Sequence, residues 1–176
     1  QNIRKDMEGG LNTFLEEQKK EPGRCSVTFT QFDTEYEVLY SGKDLKDVPV
    51  VELLPRGRTA LLDALGRTIN VVGKRLSDTP EADRPGRVLF LIITDGMENA
   101  SHEFNTATIK QMIEHQTTVY QWQFVYLGAN QDVVAEAGKI GVQCSTGYVS
   151  DAMGTARMAE DMDKAVRSYR GGGGYN

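Results

Sequence analysis

The sequence predicts an α/β fold, a doubly wound and mostly parallel sheet flanked by helices. Three observations point there. Segments of strand and helical periodicity alternate along the chain, the order that βαβ units produce. The stretch "RVLFLIITDG" holds an unbroken apolar run from Val88 to Ile93, as expected of a parallel strand covered on both faces. The chain has 176 residues, 39% of them hydrophobic and 26% charged, which suits one domain with a substantial core.

From about Lys5 to Lys20, the residues Met7, Leu11, Phe14, Leu15 and Gln18 fall at helical spacing, and Pro22-Gly23 ends the helix. "CSVTFTQF" and "EYEVLYS" read as two strands around the turn Asp33-Thr34. A polar stretch with Pro49 and Pro55 follows. Leu61, Leu65, Ile69, Val72 and Leu76 then define a helix with Thr59, a good N-cap residue, at its start. After the loop "SDTPEADRPG" comes the Val88–Ile93 strand. "NTATIKQMIEHQ" predicts a helix with Ile109, Met112 and Ile113 inward, and "VYQWQFVYLGAN" a strand in which Trp122 is core. "QDVVAEAGKIG" is a short helix and "VQCSTGYV" a short strand. "MGTARMAEDMDKAVRSYR" is a final helix burying Met158, Met162, Ala165, Val166 and Tyr169. The expectation is a single domain over residues 1–170 and a flexible glycine-rich tail over 171–176.

A net charge of −5 and a pI near 5.1 provide no global field toward nucleic acid or anionic lipid. No apolar run approaches the ~20 residues that span a bilayer. Cys25 and Cys144 lie far apart, without CxxC spacing, and read as core thiols in a reducing compartment. The expected location is the cytoplasm, or a virion if the chain is phage-encoded.

Asp95 stands at the mouth of the apolar strand, in Thr94-Asp95-Gly96. A carboxylate there is costly unless compensated, and sheets of this class place ligands outside the carboxyl ends of their strands. A turn role also suits Asp-Gly. Thr59, opening a helix, could reach the same edge.

Three stretches, "QFDTEYEVLYSG", "PRGRTALLDALGRTI" and "LIITDGMENAS", resemble in this order the von Willebrand factor type A domain, a Rossmann-like fold, in its stand-alone bacterial and phage form. The resemblance runs from "DMEGGLNTFLEEQKKEP" to "AVRSYR". It implies a metal-ion-dependent adhesion site at the upper edge of the sheet, with Thr59 and Asp95 as metal ligands. The cation would be Mg²⁺, or Mn²⁺ as a substitute, and an acidic side chain of a partner protein would complete its shell. Hard cations want oxygen ligands and retain water, so few carboxylates with hydroxyls leave the ion open. The family's Asp-x-Ser-x-Ser loop is not in the sequence. The resemblance implies that this loop and the central strand before it lie ahead of Gln1, or that another chain supplies the strand by strand addition.

Around these two residues, Asp63 reads as a helix N-terminal charge behind the ligands, Glu98 and Asn99 as residues shaping the loop, and Asp33 as a hairpin residue near the metal edge. His102-Glu103 with His115 provides no zinc motif. Arg56 and Arg58 could contact phosphate, but no Walker pattern accompanies them. No nucleophile–base pair stands in a recognisable motif. The expected function is therefore non-enzymatic, a metal-dependent protein-interaction module. The alternatives are a degenerate, metal-free domain with an assembly role, as in a phage particle, and a metal-assisted phosphoester hydrolase.

Overall fold

The computed structural model describes residues 3–33, 35–53, 59–94, 100–129, 132–148 and 152–170. Helix α1 (Ile3–Lys19) precedes strands β1 (Ser26–Phe32) and β2 (Tyr36–Asp44), then α2 (Leu61–Asp78) and β3 (Leu89–Thr94). Helix α3 (Thr106–Tyr120), β4 (Gln123–Ala129), α4 (Val133–Lys139), β5 (Cys144–Tyr148) and α5 (Ala152–Arg170) complete the order. Strands β3, β4 and β5 form a parallel ladder, with Leu89 opposite Gln123 and Val125 opposite Cys144. Strands β1 and β2 form a separate antiparallel hairpin.

Side-chain alternation distributes the strands between two apolar clusters. Phe90, Ile92, Phe124 and Tyr126 point to a cluster with Leu65 and Ile69 of α2, Ile109 and Ile113 of α3, and Ala137 of α4. Leu89, Leu91, Ile93, Val125 and Leu127 point to a second cluster with Leu11 and Phe14 of α1 and Met158 and Met162 of α5. The hairpin obeys the same rule: Val27 and Phe29 join the second cluster and Phe32 the first. Period-two alternation thus gives β1, β3 and β4 two apolar faces, which explains the continuous apolar run from Val88 onward.

The contacts at their ends show that strands β1 and β3 run in the same direction. Before β1, the carbonyls of Pro22 and Gly23 accept from Arg170 at the end of α5; before β3, Arg87 donates to the Tyr169 carbonyl and the Tyr169 hydroxyl to the Val88 carbonyl. Beyond their carboxyl ends, the Asp33 carbonyl accepts from Ala60 N–H and residues 101–104 bind Asp63, both at the start of α2. Among the described residues no ladder joins β1 to β3. Leu89, Phe90, Leu91 and Ile93 are only half-buried, whereas Phe124, Val125, Tyr126 and Leu127 of β4 are 7, 3, 1 and 2% exposed. A seam therefore separates the hairpin from the parallel ladder.

Helix α3 runs on to Tyr120, so the expected strand from Val119 begins late, at Gln123. The β-branched run Thr117-Thr118-Val119 suggests a strand, but the Thr117 and Thr118 hydroxyls bond back to the Ile113 and Glu114 carbonyls at 2.8 Å and fit the helix. Gln121, left-handed at φ 59°, ends it. Trp122 is buried as expected, although it precedes the strand. The polar-looking stretch before Pro55 is also anchored: Leu45, Val48 and Val51 are buried, and the Asn12 amide bonds both the N–H and the carbonyl of Val51. Cys25 and Cys144 are free thiols packed against the second cluster, and burial pushes the Cys25 thiol up.

Candidate functional site

The amino terminus of α2 is the meeting point at the carboxyl edge. Its N-cap position is Ala60, not Thr59, and Ala60 has no capping side chain. The Ala60 N–H donates to the Asp33 carbonyl at 2.8 Å, and this tie to the end of β1 sets the helix start one residue later than Thr59 alone suggests. Thr59 is half-buried just outside the helix.

The cap comes from across the fold. The Asp63 N–H, three residues into the helix, donates to the Ser101 hydroxyl at 3.0 Å. In return, the Asp63 carboxylate accepts from the backbone N–H groups of His102, Glu103 and Phe104, each at 2.9 Å. The long-range lock binds the segment after β3 to the start of α2, supplying both a capping acceptor and a favourable negative charge at a helix N-terminus. Burial alone would push the Asp63 carboxyl up; the three N–H groups, with Arg67 nearby, outweigh it and hold its pKa below the ordinary aspartate value. Asp63 is therefore a buried charge committed to the backbone of the loop.

Asp33 is also buried, at 6% exposure, where β1 ends. Its carboxylate accepts from the Glu35 N–H and its own N–H donates to the Glu35 carbonyl, which is the expected hairpin role. With Ala60, Asp63, Ala64, Tyr36 and Arg67 it lines a small recess at this edge. Arg67 Nε donates to Glu103 Oε2 at 2.7 Å, and its guanidinium lies 5.6 Å from the centre of the Tyr36 ring. The Tyr36 hydroxyl is held at 2.9 Å by Thr68, whose own hydroxyl donates to the Ala64 carbonyl.

Asp95 lies outside the described residues, as do Arg56, Arg58, Glu98, Asn99, Thr34 of the hairpin turn and the tail 171–176. Thr94, just before Asp95, is buried and pairs with Gly128 at the edge. Among the described residues no group of three His, Cys, Asp or Glu side chains could hold a metal ion. His102 uses its N–H on Asp63, whereas His115 stacks edge-on against Tyr120 towards the end of α3. Sequence reasoning missed the Ser101 hydroxyl and the amides of residues 102–104 as partners of Asp63. No local signal identifies them, since they lie about forty residues away.

What the fold and the edge define is an α/β domain whose loops converge at the carboxyl ends of parallel strands. Its fold is that of the von Willebrand factor type A domain. It is similar to the structure titled von Willebrand factor type A from Catenulispora acidiphila, with a TM-score of 0.57 and 14% identity. The match covers 92% of this chain and 38% of the other, so this chain spans well under half the length of that protein. No family model matches the sequence, and no curated protein matches it.

Proposed function

We propose that the chain is a metal-dependent protein-interaction module. Mg²⁺, or Mn²⁺ in its place, sits at the carboxyl edge, with Thr59 and Asp95 among its ligands and an acidic side chain of a partner protein completing the shell. The observation that supports this reading most is the convergence on one helix start of β1, through Asp33, and of the segment after β3, through Ser101 and Asp63. This convergence holds both chain segments that flank the proposed ligands. The available donor chemistry suits a hard cation. Three backbone N–H groups hold the Asp63 carboxylate, and the proposed shell consists of hydroxyl and carboxylate oxygens from the loops and of water.

In this proposal the two ladders belong to one doubly wound layer, and the module acts by binding rather than by catalysis. The partner is a protein; no described helix is long and apolar enough to cross a membrane, and the net charge of −5 offers nucleic acid no general attraction. The proposed location is the cytoplasm, or a virion if the chain is phage-encoded.

Thermal unfolding tests the reading, because a ligand bound only by the native state raises the apparent stability. With chelator and then with millimolar Mg²⁺ or Mn²⁺, the wild-type midpoint rises and that of Asp95→Ala does not. A midpoint indifferent to metal in both proteins overturns the metal site and leaves the metal-free assembly role.

A further inference from the structure

The strongest feature at this edge that the metal does not use is Arg67. We infer that Arg67 is a second anchor for the acidic partner, and that Glu103 occupies it until the partner arrives. This inference rests on the reading that the partner presents carboxylates.

The guanidinium is held ready. It lies over the Tyr36 ring, which is fixed through Thr68 to the Ala64 carbonyl, while the Thr30 hydroxyl approaches Thr68 from β1 at 3.3 Å. Stacking on an aromatic face and a planar donor fork are the properties that make arginine a carboxylate receptor rather than a point charge. Its present carboxylate uses only Nε, and the Arg67 and Glu103 side chains are 45% and 50% exposed. Such an exposed pair is worth little and is easily exchanged. A partner carboxylate that takes the terminal nitrogens as a fork makes the stronger contact.

Its position fits the same docking event. Arg67 lines the recess together with Asp33, Ala60 and Asp63, so it opens to the edge where the metal is proposed. It stands two helical turns from Ala60, roughly 10 Å at 1.5 Å per residue. An extended peptide covers that distance in about three residues. A partner segment with two carboxylates about three positions apart matches the span from the start of α2 to Arg67, with one carboxylate for the edge and one for Arg67. Glu103 is the internal competitor, tethered by the same loop whose backbone grips Asp63.

The test uses a fluorescein-labelled peptide, Gly-Ser-Glu-Gly-Ser-Glu-Gly-Ser, and its single-glutamine version, followed by anisotropy with Mg²⁺. The doubly acidic peptide binds wild type at least ten-fold more tightly than the glutamine version. Arg67→Ala removes that preference, Arg67→Lys recovers little of it, and Glu103→Gln tightens binding about three-fold. Equal affinity of wild type and Arg67→Ala overturns the inference, as does failure of wild type to prefer the doubly acidic peptide. The Mg²⁺-induced rise in unfolding midpoint is the same in wild type and Arg67→Ala. If that rise is missing while the Arg67 effect persists, the metal reading fails and the anchor stands; the converse pattern sinks the anchor alone.

Discussion

The Asp63 carboxylate is bound by the N–H groups of His102, Glu103 and Phe104, and removing it would leave these donors without their acceptor. Asp63→Ala is expected to cost about 2–3 kcal/mol, and Asp63→Asn, which keeps one acceptor oxygen, about 1–2 kcal/mol. Because the folded-state pKa is lowered, this stability is present above the unfolded value of about 3.9 and is lost as pH falls through the folded value. Urea unfolding at pH 7 and pH 3 checks this: the gap between wild type and Asp63→Asn should be widest at neutral pH and narrow in acid. A gap independent of pH would contradict the ionised lock. The sequence identified Asp63 as a charge at a helix start, and that much is local chemistry. It could not show which amides the carboxylate meets. It also placed the cap at Thr59, because threonine is a good cap wherever it stands, whereas the Asp33 carbonyl sets the start at Ala60. In both cases long-range hydrogen bonds decide what local preference leaves open.

At the scale of elements, periodicity was legible where one face of a helix is buried. Leu61, Leu65, Ile69 and Val72 on α2 and Met158, Met162 and Tyr169 on α5 are all buried as their spacing predicts. The boundary between α3 and β4 was not legible, because threonine and valine suit both states until the Ile113 and Glu114 carbonyls claim the hydroxyls. Gly66 shows a different limit. A glycine inside a helix normally costs about 1 kcal/mol relative to alanine, so Gly66→Ala should stabilise α2 on propensity alone. A Cβ there, however, would stand 2.6 Å from the Phe104 ring. The ring would have to move, and Phe104 also supplies one of the N–H groups on Asp63. Overpacking of this kind costs about 1–3 kcal/mol, more than propensity returns. Gly66→Ala is therefore expected to lower the urea midpoint and to expose the 101–104 amides to exchange. A raised midpoint would show that the loop yields freely.

For the molecule as a whole, the seam between β1 and β3 decides where stability is concentrated. Strand β4 has a partner on each side and its residues Phe124 to Leu127 are buried, whereas among the described residues β3 pairs with β4 alone, and of its apolar side chains Ile92 is buried while Leu89, Phe90, Leu91 and Ile93 are only partly so. Burial contributes roughly 25 cal/mol per Å² of apolar surface, so the contribution of β3 is incomplete even though its sequence is as apolar as that of β4. This reconciles the continuous run from Val88 to Ile93, which predicts burial on both sides, with the burial observed: both faces are packed, and among the described residues one edge has no ladder partner. Native-state hydrogen exchange reads this directly, because amides without a ladder partner open at little cost while those of a central strand open only with global unfolding. The seam-facing amides of β1 and β3 should exchange on the order of ten-fold or more faster than those of β4. A polypeptide that places a further strand in the seam should slow them to the β4 rate and raise the unfolding midpoint. Protection of the seam-facing amides equal to that of β4 in the chain as it stands would mean that the two ladders already close upon each other.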